Sequence, residues 1–105
     1  RVISIEEMFR GTIDGASVYP REIVVAVLRR NAAACIFAHN HPSGELSPSP
    51  ADMTITKKII HASEFMGIHV LEHLIISMDS DAYYSFADNG IIQSIYDEVH
   101  RIKAF

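Results

Sequence analysis

Two histidines one residue apart, His39 and His41, precede Pro42-Ser43-Gly44, and Asp52 follows eleven positions after His41. Imidazole nitrogens and a carboxylate oxygen are zinc ligands, and three protein ligands with the fourth position left to water is how a catalytic zinc is held. Such an ion lowers the pKa of its water to about 7 and polarises a carbonyl. The spacing suits this chemistry. Side chains alternate along a strand, so residues 39 and 41 fall on one side at a strand end. Pro42 has no N–H to continue a central ladder, so the chain must leave the sheet there. Ser49 is a good N-cap and Pro50 a good first helical residue, which places Asp52 in the first turn of a helix. If that helix docks against the strand end, Asp52 meets the two histidines.

Each residue also has a reading without metal. Two histidines at a strand end can be surface residues or ordinary hydrogen-bonding groups. Ser49-x-x-Asp52 resembles a capping box with Asp in place of Glu, which local helix capping explains alone. Pro42-Ser43-Gly44 is common turn chemistry. Their co-occurrence behind an apolar strand is what favours a metal. His61, His69 and His100 read as surface or packing residues. Cys35 is the single cysteine, which excludes an internal disulfide and a cysteine-based zinc site; within Ala-Ala-Ala-Cys-Ile-Phe-Ala it reads as a buried structural thiol.

The elements that must position these residues follow from periodicity. Arg1 to Arg10 reads as a strand, and Gly11 to Gly15 as a turn. From Pro20, Ile23, Val24, Val27 and Leu28 recur at helical spacing, and Asn31 ends the run. Ala33 to His39 is continuously apolar and short, as expected of a central strand buried on both faces. Asn40 to Pro50 is a loop. In the next helix Ile55, Ile59, Ala62 and Met66 mark the expected buried stripe, and Gly67 the stop. Ile68 to Ser77 is a strand, Met78 to Asp81 a turn, and Tyr83 to Phe86 the second arm of a hairpin. After Asp88-Asn89-Gly90 comes an amphipathic helix over Ile91 to Ile102, with Ile92, Ile95, Val99 and Ile102 on one side. The order β-α-β-α-β-β-α predicts a mixed sheet flanked by helices, with a right-handed second crossover. The last helix is expected on the core, with a weakly held homodimer through its apolar side as the other reading.

A length of 105 residues, with 49% apolar and 21% charged, fits one globular domain over residues 1–105, or a piece of one. No apolar stretch reaches membrane-spanning length and no signal peptide is visible, so the cytoplasm is the expected compartment. The start at Arg1 suggests a trimmed chain or a fragment. A net charge of −4, without a basic stripe, argues against direct DNA binding.

The segment His39-Asn40-His41-Pro42 through Ser49-Pro50-Ala51-Asp52 resembles the JAMM (JAB/MPN) metalloprotease pattern. More narrowly, Phe9 to Gly15, Tyr19-Pro20-Arg21-Glu22, Phe37 to Gly44 and Tyr84-Ser85-Phe86-Ala87 resemble the bacterial RadC-type proteins, from about Met8 to Gly90. The resemblance implies a three-layer α/β/α, cytidine-deaminase-like fold. It also implies one Zn²⁺ per chain held by His39, His41 and Asp52, with Ser49 hydrogen-bonding near the reacting carbonyl oxygen. The capping and catalytic readings of Ser49 are then rivals, or divide between its backbone and its hydroxyl. A JAMM protease also needs a glutamate as general base, carried in the family by an earlier helix. Glu6 and Glu7 read as surface charges and Glu22 as a helix-start carboxylate and weak candidate base; the base is therefore expected upstream of Arg1, on an N-terminal part that this chain lacks. The family's usual Leu-Asp-His is here Leu71-Glu72-His73, where His73 reads as a strand-face residue in preference to a support for the metal.

Other H-x-H zinc families fit less well. Metallo-β-lactamases need H-x-H-x-D-H, amidohydrolases need a barrel too long for this chain, and zinc deaminases need H-x-E and P-C-x-x-C. The expected function is a zinc metallohydrolase acting on a peptide or isopeptide-like amide of an unidentified protein substrate. The alternatives are a DNA-repair or genome-maintenance accessory and a non-catalytic zinc-containing binding module.

Overall fold

The computed structural model describes Ile5 and residues 19–103, with side chains as far as Arg101. The strand expected over Arg1 to Arg10, the turn after it, Glu6 and Glu7 lie outside the described residues, Ile5 excepted, as does the side chain of Ile102.

Six elements follow in order: helix α1 (Pro20–Arg29), strand β1 (Ala34–His39), helix α2 (Pro50–Phe65), strands β2 (His69–Ile76) and β3 (Tyr83–Ser85), and helix α3 (Ile91–Lys103). Pro20 opens α1, where its missing N–H costs nothing. Glu22 lies in the first turn and Arg29 in the last, each matching the helix dipole. Asn31 adopts φ 52°, a left-handed conformation that Asn tolerates, and the helix ends just before it. Ile23 and Val24 are buried, but Leu28, expected on the same stripe, is 44% exposed.

The sheet order is β1-β2-β3, with β1 and β2 parallel and β2 and β3 antiparallel. α2 is therefore the crossover of a β-α-β unit, and β2 and β3 form the expected hairpin. β1 corrects an expectation. Among the described residues it is an edge strand, with Ile36 59% exposed while Cys35 and Phe37 pack on the core. An unbroken apolar run looks the same whether one face is covered or two; here the described helices cover one. The β1–β2 register also shifts: Cys35 pairs with Val70 and Ile36 with Glu72, so Leu71 is extra. The bulge changes the alternation of β2 and leaves Val70, His73 and Ile75 all buried.

α2 buries Asp52, Ile55, Thr56, Ile59, Ile60 and Ser63, a stripe at helical spacing that includes three polar residues. Met66, expected in that stripe, is 51% exposed, because the helix has ended and Gly67 turns the chain at φ 70°. α3 places Ile92, Ile95, Tyr96 and Val99 in the same core as Ile59, Ile60, Val70, Ile75 and Phe86. Its apolar side thus packs on the core, as expected. β3 pairs with β2 only at Leu74–Ile76, and the Val70 N–H donates instead to the Tyr96 hydroxyl, 2.7 Å away. One side chain of α3 thereby satisfies a buried donor of β2.

Candidate metal centre

His39 is the last residue of β1. The chain then turns tightly: the Gly44 N–H donates to the His41 carbonyl at 2.9 Å, with Pro42 and Ser43 at the corner and Gly44 at φ 81°. The Glu45 carboxylate accepts from the Ser47 N–H at 3.1 Å and its hydroxyl at 3.0 Å, which fixes the next bend. Ser49 and Asp52 then form a reciprocal capping box. The Ser49 hydroxyl oxygen accepts from the Asp52 N–H at 3.1 Å, and Asp52 Oδ2 accepts from the Ser49 N–H at 2.7 Å. The capping reading of Ser49 is therefore realised. A hydroxyl that accepts still carries its own proton, so capping leaves that proton to be donated.

These local structures bring the expected residues together. His39 Nε2 lies 3.1 Å from His41 Nε2 and 3.1 Å from Asp52 Oδ1, and His41 Nε2 lies 2.8 Å from Asp52 Oδ2. One ligand atom from each of the three falls within 4.8 Å of the others, a group able to hold a metal ion. Two donors about 2.0–2.1 Å from a tetrahedral zinc stand roughly 3.3 Å apart, close to these spacings. The tautomers agree as well. His41 Nδ1 sits 2.6 Å from the Glu45 carbonyl, which can only accept, so Nδ1 carries the proton. In the neutral ring Nε2 then presents a lone pair towards another imidazole nitrogen and a carboxylate. A cation among these atoms would balance the electron-rich groups that face one another there. Glu22 stays exposed in the first turn of α1 and is not part of this group.

The electrostatics point the same way. Burial pushes Asp52 up, but hydrogen bonding from Ser49 and the two histidines outweigh it and hold the carboxyl below its usual range. Burial lowers His39, with Asp52 opposing and His41 adding to the shift. Both candidate ligands therefore favour deprotonated forms, the forms that a metal ion would need. Cys35 is half-buried rather than buried, and that burial raises its thiol, consistent with an inert side chain.

Sequence reasoning ranked His73 below its real place. Its ring is 1% exposed and stacks between Phe37 and Phe86, with centroids 4.3 and 4.2 Å away. Its Nε2 lies 2.8 Å from His39 Nδ1, and its Nδ1 lies 2.7 Å from the hydroxyl of Thr56 on α2. Burial, and then His39, push its pKa down to about 3, so the ring is neutral. His73 is thus a strand-face residue that also supports a candidate ligand. Its register partner is Phe37, two residues before His39 in the parallel neighbour. That pairing was the available signal, hidden by the bulge at Leu71. Next to it, Glu72 accepts from the N–H groups of His73 and Ala87 at 2.8 Å and from the Ser85 hydroxyl, so this carboxylate ties β2 to the turn after β3.

Comparison with known proteins gives the family. A family model described as RadC-like JAB domain matches residues 1–91. The chain is 51% identical over 92 residues to a UPF0758 protein of Thioalkalivibrio sulfidiphilus, covering 88% of this chain and 40% of that protein. It is 54% identical over 88 residues to a UPF0758 protein of Actinobacillus succinogenes, covering 84% and 39%. It is 50% identical over 90 residues to one of Vibrio cholerae, covering 86% and 55%. The chain thus matches about half or less of the length of these relatives. The helices and mixed sheet agree with the α/β fold expected of a JAB domain. With most of its length matched and a His-His-Asp group at the end of β1, this chain belongs to the RadC-like JAB domain family.

Proposed function

We propose that the chain is the zinc-binding part of a metallohydrolase that cleaves a peptide or isopeptide-like amide. The observation that carries this reading is the convergence of His39 Nε2, His41 Nε2 and the Asp52 carboxylate at 2.8–3.1 Å. Membership of the JAB family supports it. When bound, zinc supplies Lewis-acid polarisation of a carbonyl and an acidified water.

The chain's own residues have separable roles. His39, His41 and Asp52 hold the ion, and Asp52 does so while accepting the Ser49 N–H. The turn at His41–Gly44 keeps the second imidazole at the strand end. Ser49 donates its remaining hydroxyl proton to the oxygen on which charge develops as the amide carbonyl is attacked. A proton must also pass from the attacking water to the leaving nitrogen. We assign that transfer to a glutamate in the longer protein, of which relatives show more than twice this length in two cases.

Elemental analysis of the purified chain is expected to find about one zinc per molecule, the content of a single His₂–carboxylate site. The variant combining His39→Ala and His41→Ala is expected to lose it while remaining folded by circular dichroism. Unchanged zinc content in that variant would remove the site assignment.

A further inference from the structure

A line of three hydrogen bonds runs from α2 to the candidate ligand His39. The Thr56 hydroxyl donates to the Asp52 carbonyl at 2.7 Å. Back-bonding to the carbonyl four residues earlier is the usual outlet for a helical threonine proton. A hydroxyl has one proton, so once it is given to Asp52 the oxygen can only accept from His73 Nδ1, 2.7 Å away. A neutral His73 that donates from Nδ1 must accept at Nε2. The atom facing that nitrogen is His39 Nδ1, at 2.8 Å, which must therefore carry a proton. A neutral His39 protonated at Nδ1 bears its lone pair on Nε2, the atom aimed at His41 and Asp52.

We infer that Thr56 and His73 are positioning residues that fix His39 in its metal-binding tautomer, and that Asp52 sets this tautomer through its main-chain carbonyl. Asp52 thus acts twice, offering its side chain to the ion and ordering a second ligand through its backbone. The line has one other self-consistent state. If the Thr56 proton turns to His73 Nδ1, the bond to the Asp52 carbonyl is lost, the two bonds at His73 reverse, His39 carries its proton on Nε2, and the site loses a ligand. The Asp52 carbonyl biases the line towards binding. Phe37 and Phe86, stacked on either face of His73, prevent its ring from leaving the line. This inference rests on the metal reading above and adds to it what makes His39 a ligand.

The test uses the chain itself. In metal-free protein, long-range proton–nitrogen spectra of the imidazoles read the tautomers directly. The expected result is protonation at Nδ1 for both His73 and His39. Thr56→Val keeps the shape of the side chain but removes its hydroxyl, and is expected to weaken zinc binding about 10–100-fold, as for other outer-sphere changes at metal sites. Thr56→Ser restores the hydroxyl and is expected to restore affinity. The inference is overturned if His39 is protonated at Nε2 in the unmodified chain, or if Thr56→Val binds zinc as tightly as the parent. Either result with one zinc still bound leaves the metal reading intact, whereas an unmodified chain that takes up no zinc removes both.

Discussion

Buried histidine is the feature with the clearest consequence at the scale of single residues. His73 is held at about 3 by burial, beside His39, His41 and Asp52, while an exposed imidazole titrates near 6.5. Between these values the unfolded chain binds a proton that the folded chain refuses. Stability therefore rises with pH through this window and is lost on acidification below about 6.5. The loss is up to about 1.4 kcal/mol per pH unit from His73 alone, and the lowered His39 acts in the same direction. Urea melts of metal-free protein at pH 7 and pH 5 are expected to show this fall. His73→Gln should start from lower stability but give a flatter profile; an equally steep profile would show that other groups carry the effect. The three candidate ligands were legible in the sequence because their spacing is local, eleven residues from His41 to Asp52 and one helix start. Thr56 and His73 were not, because their link spans 17 residues and depends on how α2 settles against β2.

At the scale of elements, capping and bonds between elements account for what the apolar pattern does not. The sequence located the start of α2 to the residue because Ser49, Pro50 and Asp52 are specific start signals. It misjudged the buried face of that helix, since Thr56 and Ser63 are inside and Met66 is outside. Thr56 can be buried because its hydroxyl bonds within its own helix, and a pattern of apolar letters omits such a residue. Among the described residues Ser63 is the informative case, because its hydroxyl is buried with no hydrogen-bond partner. Ser63→Ala is expected to leave stability unchanged or raise it by up to about 1 kcal/mol, since no bond is lost and helix propensity improves. Tyr96→Phe should behave in the opposite way. It strands the Val70 N–H at the uncovered edge of β2 and is expected to cost about 1–3 kcal/mol. Denaturant melts of both variants check the pair.

For the molecule as a whole, charge and burial set what it can meet. Net charge is −4, and its basic pairs are exposed, Arg29-Arg30 at the end of α1 and Lys57-Lys58 within α2, with Lys57 facing Glu98 at 3.5 Å. Non-specific nucleic-acid binding is driven by phosphate neutralisation. A gel-shift titration of this chain with duplex or single-stranded DNA at low salt is therefore expected to show no complex at micromolar protein; a complex that weakens steeply with salt would contradict this. Among the described residues no helix is long and apolar enough to cross a membrane. The order of elements after Pro20 was readable from periodicity, whereas the exposed face of β1 at Ile36 was not, because what covers a strand is set by the assembled sheet. The loop from His39 to Asp52 has a further meaning for assembly. Its end residues are 13 apart in sequence, yet their side chains meet, with His39 Nε2 3.1 Å from Asp52 Oδ1. An ion bridging them would act as a reversible crosslink, closing a ring whose formation costs a free chain about 2 kcal/mol of entropy beyond a constant term. If the link forms after β1 and α2 have met, it would slow unfolding more than it would speed folding.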